Sequence, residues 1–197
     1  MTVLNLSHHK DKPTIQDLTN YLTTQSPISN LPQLPSLLSS PSTSIALIIS
    51  ERVINMPHAI VPPLYNFLHS EITAAAQTSP AHKFTHYVLL SKTYTEVASQ
   101  LDVEPEQGSS KKAKKAAAAA AANPEVFYFH PEDEALHRHA LAFGNYDYVK
   151  QGDEGASDAK RAFQEMGIRP QGHLILIEAG KFEAATKAVA EYLGGAE

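Results

Sequence analysis

Histidine and carboxylate side chains crowd one short stretch of this chain, and they are the residues whose types could bind a metal or move a proton. His130, Glu132, Asp133, Glu134, His137 and His139 all fall within HPEDEALHRH. Imidazole nitrogens and carboxylate oxygens are the donors that zinc and similar ions take. In a strand, His137 and His139 would share a face. Catalytic zinc sites, however, announce themselves by fixed spacings such as HExxH, which does not occur here, and a local run of acids equally describes a solvated loop. No metal is expected, and His8 and His9 read as an exposed strand end.

Other chemistry finds less. The chain has no cysteine, so thiolate metal sites, disulfides and a cysteine nucleophile are excluded. A GxSxG nucleophile elbow is absent. Binding a nucleotide or acyl-CoA pyrophosphate calls for backbone N–H groups at a helix start, supplied by closely spaced glycines. Neither GxxxxGK nor GxGxxG occurs, and Gly152 and Gly155 lie in an acidic segment that would repel phosphate. Catalytic residues and cofactors are therefore assigned as none. Carboxylate pairs brought together by folding leave no signature in the sequence.

The remaining cluster is cationic. Lys111, Lys112, Lys114 and Lys115 form KKAKK inside a polar, then alanine-rich stretch. Importins read such clusters in extended segments, so these lysines are the candidate nuclear-import signal, and an ordinary charged insertion explains the same run. The formal charge of the whole chain is -5, so setting aside these four lysines leaves -9 for the rest. An acidic body disfavours nucleic acid, favours basic partners, and also serves plain solubility.

These residues need a scaffold, and 197 residues with 43% hydrophobic content suit one domain with a continuous core. No apolar run approaches the roughly 18 residues that span a bilayer, so membrane insertion is not expected. Thr2 to Leu6 predicts a strand. Thr14 with Asp17 resembles a capping box for a helix whose Ile15, Leu18 and Leu22 share a face. Leu31, Leu34 and Leu38 suggest a short helix confined by Pro32 and Pro35. Ile45 to Ile49 is apolar throughout, as in a strand covered on both faces. Asn55 can cap a helix starting at Pro57, with a stripe of Leu64, Phe67, Leu68, Ile72 and Ala75, kinked or restarted at Pro62-Pro63. KFTHYVLLSKTYTEV predicts a long strand parallel to that of Ile45 to Ile49. Residues from about 99 to 123 form a flexible Lys/Ala-rich insertion. EVFYFH and HALAFGNYDYV predict two strands, paired antiparallel, with a turn or short acidic-started helix between them. HLILIEA predicts another buried strand, and Lys181 to Leu193 a final helix carrying Phe182, Ala185, Val189 and Tyr192 inward. The pattern is α/β: a mixed β-sheet flanked by helices.

ALIISERVINMPHAIVPPLYNFLHSEI, FTHYVLLSKTYTEV, the lysine-rich insertion, EVFYFHPEDEALHRHALAFGNYDYV and HLILIEAGKFEAATKAVAEYL occur in this order. The blocks resemble the BCCIP family, whose fungal members are usually called BCP proteins. The resemblance implies a GNAT-like (N-acetyltransferase-like) architecture without an acyl-CoA loop. It also implies a non-enzymatic nuclear chaperone and transport factor, shuttling with the cytoplasm. Its expected partners are protein clients, namely a basic large-subunit ribosomal protein during ribosome biogenesis and a phosphatidylinositol phosphate kinase during nuclear export, with importin for entry. An acyl-CoA-dependent N-acyltransferase on that fold is the alternative. Within SERVINMP, Arg52 and Asn55 are either structural caps or surface contacts, and the structural reading is preferred.

Family members carry an acidic N-terminal segment and further structure ahead of the strand that here starts at Thr2. The resemblance therefore implies a chain that is short at this end, through a truncated gene model or through a missing sheet element that leaves an edge unpaired.

Overall fold

The computed structural model describes residues 1–8, 10–24, 31–52, 56–96, 125–148 and 167–194. Its centre is a six-stranded mixed sheet. Strands β1 (Thr2–Asn5), β2 (Ile45–Ile49), β3 (His86–Glu96), β6 (Ile168–Glu178) and β5 (Ala142–Tyr146) lie side by side in that order, and β4 (Val126–Tyr128) pairs with β3 off this path. The most apolar runs take the middle. β2 and β3 are parallel, Ile45 opposite His86 through Ile49 opposite Leu90, as the strand–helix–strand order predicts. β3 and β6 are antiparallel from His86 opposite Glu178 to Glu96 opposite Ile168.

Alternation along the strands divides the core into two layers. On one face Ala46, Ile48, Tyr87, Leu89, Ile175 and Ile177 meet helices α3 (Val61–Thr78), α4 (Glu132–His137) and α5 (Ala179–Gly194). On the other, Ile45, Leu47, Val88, Leu174 and Leu176 meet α1 (Pro13–Thr24) and α2 (Leu34–Ser39) through Leu22, Leu31, Leu34 and Leu38. Each fully buried Leu or Ile contributes about 1.5–3 kcal/mol, so this double layer holds the sheet between the two helix sets.

Three local expectations are corrected. α1 begins at Pro13, where the missing N–H costs nothing, and Ile15 and Gln16 donate to the Lys12 carbonyl; Thr14 thus sits in the first turn and does not cap the helix. After a single 3-10 turn at His58–Ile60, α3 begins at Val61 and not at Pro57, with Pro62 and Pro63 in its first turn. Its buried stripe is Val61, Tyr65, Leu68 and Ile72, which rotates Phe67 outward to 63% exposure. Asn55 lies outside the described residues.

The strand pair 126–146 is corrected as well. β4 and β5 do not pair with each other: β4 pairs with β3, Thr93 opposite Tyr128, and β5 pairs with β6, Ala142 opposite Leu176. β6 occupies one edge of β3 along its whole length, so β4 must lie on the edge that β2 uses, beyond β2's last pair at Leu90. β2 and β4 are therefore laid end to end along β3. The chain then crosses the sheet through α4 to reach β5 at the far edge, and the short acidic-started helix is the form this crossing takes.

Candidate functional site

α4 has six residues, EDEALH, and every one has a structural address. Ala135 and Leu136 are wholly buried in the helical layer that contains α3 and α5. The acids at its start and the histidine at its end form two polar clusters under the helix.

At the start, Arg52 Nη2 donates to Glu132 Oε1 at 2.5 Å, and the two side chains are 8% and 0% exposed. Beside them Ser91 Oγ donates to Asp133 Oδ2 at 2.5 Å. Arg52 follows β2, whereas Glu132 follows β4. The pair consequently clasps the ends of the two strands that share one edge of β3, so Arg52 has a structural role, but as an ion-pair partner and not as the cap expected from sequence. Ser91 and Thr93 face the same layer as Tyr87 and Leu89 by strand alternation.

Burial dominates the electrostatics here. Asp133 is pushed up to about 8, first by burial and then by the neighbouring Glu132 charge, against the lowering effects of the Ser91 hydrogen bond and Arg52. It is thus mainly a neutral acid at pH 7. The Tyr65 phenol is raised well above its ordinary value by burial and by Glu132 and Asp133. Arg52 Nη1, Glu132 Oε2 and Thr93 Oγ1 are buried without a hydrogen-bond partner among the described residues. Glu132 and Asp133 are 0% and 2% exposed, so a clasp, and not a proton-transfer centre open to substrate, is what this geometry supports.

At the end of α4, His137 Nε2 lies 2.8 Å from His173 Nε2, one ring donating to the other. His173 Nδ1 lies 2.5 Å from Asn145 Oδ1, and that acceptor makes Nδ1 the proton-bearing nitrogen. His137 must then supply the proton shared with His173 Nε2. The His137 ring stacks on Phe143 at 3.7 Å and 7°. Burial lowers His137 to about 4 against an opposing Glu134. Burial first and the His137 neighbour second lower His173 to about 3. Both imidazoles are neutral at pH 7.

The histidine and acid cluster read from sequence is thereby split. His130 is half-buried and lowered by burial first and Arg52 second. His137 closes a helix, and His139 sits in the turn after it, so they are not neighbours on a strand face. Among the described residues no group of three or more His, Asp or Glu side chains is arranged to hold a metal ion. Lys111, Lys112, Lys114 and Lys115 lie outside the described residues. Sequence reading missed Ser91, Tyr65 and His173, which sit in apolar strand or helix runs; a lone buried-strand polar residue was the one signal available. No helix among the described residues is long and apolar enough to cross a membrane.

Comparison with known proteins places these features in context. The BCCIP family model matches residues 1–136. "Protein bcp1" of Emericella nidulans is 51% identical over 195 residues, covering 98% of this chain and 66% of that relative. "Protein BCP1" of Gibberella zeae is 47% identical, with 100% and 66% covered. "Protein bcp1" of Schizosaccharomyces pombe is 39% identical, with 90% and 62% covered. The chain thus spans about two thirds of the length of these relatives. The crystal structure of BCP1 from Saccharomyces cerevisiae superposes with a TM-score of 0.55 at 17% identity, covering 96% of this chain and 59% of that one, which shows a shared mixed α/β fold.

Proposed function

This chain belongs to the BCCIP family, and from that premise we propose that it is a non-enzymatic, protein-binding chaperone and transport factor of the nucleus, shielding basic clients with its acidic surface. The observation that carries this reading is the charge distribution: -5 overall, with four of the sixteen basic residues confined to one short run. Such a field attracts cationic segments over about a Debye length and is weakened by salt. A basic large-subunit ribosomal protein and a phosphatidylinositol phosphate kinase are the clients the family resemblance suggests, and the 111–115 lysines would recruit importin.

The start of α3 argues against the acyltransferase alternative. In a GNAT-like architecture the helix following the central parallel strand would offer its N–H groups to the cofactor's phosphates. Here two of its first three residues, Pro62 and Pro63, carry no N–H at all. The adjoining strand ends are filled by the chain's own Arg52–Glu132 pair.

Titration of the purified protein with a basic large-subunit ribosomal protein tests the proposal. Binding should be tight at low salt and weaken progressively as salt is raised. Absence of binding at low salt, or binding indifferent to salt, would overturn it.

A further inference from the structure

On the sheet face that carries α1 and α2, the cluster built with those helices reaches Leu174 and Tyr146 but includes no residue of β3 beyond Leu90 and none of β4, and Tyr94, Phe127 and Phe129 are half-buried there. Farther along β3 the same face continues with aromatic side chains. Tyr94 stacks on Phe127 with ring centroids 5.2 Å apart and planes at 18°, and Phe129 lies 5.0 Å from Tyr94. Pro170 stands opposite Tyr94 on the neighbouring strand. None of these residues belongs to either buried cluster.

The edge of this aromatic strip is acidic. Thr95 is paired with Val126, so the same register carried one residue farther sets Glu125 opposite Glu96. Alternation puts both side chains on the aromatic face, about 7 Å beyond Tyr94 and Phe127. Both are exposed, and neither carboxylate has an ion pair or hydrogen bond among the described residues. Lys92, two residues before Tyr94 and on the same face by alternation, is engaged by Glu51 at 2.7 Å. Two like charges held opposite each other, with no neutralising partner among the described residues, disfavour the sheet they sit on.

We propose that this strip, formed by Tyr94, Phe127 and Phe129 with Glu96 and Glu125, is the docking surface for an extended, arginine-rich segment of a partner protein. The proposal rests on the partner-binding reading above and gives it a location. A guanidinium is planar and weakly hydrated, so it can lie on an aromatic ring while its N–H groups reach carboxylates; one arginine spans the spacing between the two rows. A second copy of this chain is disfavoured as occupant because it brings the same charge of -5.

Fluorescence anisotropy with a labelled peptide of alternating arginine and glycine, added to the full chain, tests this. The double change Glu96→Gln/Glu125→Gln removes charge and keeps shape, and should weaken binding about tenfold. Tyr94→Leu should weaken it further and should erase the preference for arginine over a lysine version of the peptide. The control change Glu71→Gln/Glu191→Gln removes two exposed carboxylates from α3 and α5 and should leave affinity unchanged. If the control weakens binding as much as the strip variant, the location is wrong while the general electrostatic reading stands. If the unaltered protein binds neither peptide nor ribosomal protein at low salt, both fail. Binding that emerges only after Lys111, Lys112, Lys114 and Lys115 are changed to Gln would put the chain's own lysines on the carboxylates and overturn the partner assignment.

Discussion

Arg52 and Glu132 are 80 residues apart in sequence and meet in an ion pair of 2.5 Å, the glutamate wholly buried. Because one residue follows β2 and the other follows β4, their contact fixes how two strands share a single edge of β3.

Removing one partner strands the other charge in the core. Arg52→Met should therefore destabilise the protein by about 3–5 kcal/mol, whereas Arg52→Met with Glu132→Met should recover most of that loss, since a buried pair repays its desolvation poorly. Urea denaturation of the two variants checks this. A double variant as unstable as the single one would show that the pair does more than neutralise itself.

Stability should pass through a maximum near pH 6.5 on account of the buried Asp133 and His173 and the half-buried His137. At pH 5 the unfolded chain protonates His137 and His173 and ionises Asp133. The folded chain keeps the histidines neutral, with values near 4 and 3, and Asp133 protonated, with a value near 8. The unfolded state then binds one proton more, and stability rises with pH by at most about 1.4 kcal/mol per unit, less for the share of His137 that water screens. Above 6.5 only Asp133 differs: its folded value is raised, so its stabilising contribution is lost as pH climbs toward 8. Asp133→Asn should remove the alkaline decline and leave the acid one. Denaturation midpoints between pH 4.5 and 8.5 would reveal both limbs, and a curve without an alkaline limb in the unaltered protein contradicts the assignment.

Gly172→Ala should be costly despite its size. A Cβ at that position would lie 2.2 Å from Tyr146 Cζ, because the tyrosine ring lies directly across the glycine on the neighbouring strand. Overpacking of this kind costs about 1–3 kcal/mol. Adding Tyr146→Leu should relieve the clash, so thermal melting of the double variant should not fall by the sum of the two single effects.

Changing Lys111, Lys112, Lys114 and Lys115 to Ala should leave folding intact and move a fluorescently tagged protein from nucleus to cytoplasm. Unaltered nuclear accumulation would dismiss these lysines as an import signal.

Much of the scaffold was legible because it is locally periodic. Ile45 to Ile48 of β2, Tyr87 to Leu89 of β3 and Leu174 to Ile177 of β6, with the inward positions Leu22, Leu34, Leu38, Phe182, Ala185 and Val189, are buried where the pattern places them. Errors arose where a local rule met a competing local rule. Pro13 claimed the first helical position ahead of Thr14, and the prolines at 62 and 63 reset the phase of α3, exchanging Tyr65 for Phe67 on its buried face. The polar clusters were illegible for another reason. Ser91 with Asp133, and His137 with His173, are brought together by strand order and by the crossing of α4, which no window of sequence contains. Motif spacing could group His137 only with His139, its neighbour along the chain.

The end-to-end placement of β2 and β4 also bears on how this protein can vary. Position 96 leaves β3 and position 125 returns opposite it, about 5 Å away by the geometry of an antiparallel pair. Whatever is threaded between them starts and finishes at one point on the sheet, so the distance to be bridged sets no minimum length. Doubling such a segment costs only about 0.6 kcal/mol in closure entropy. A connection of a different length between positions 96 and 125 would meet the same two closely spaced strand ends, so the sheet itself prescribes no single length for it.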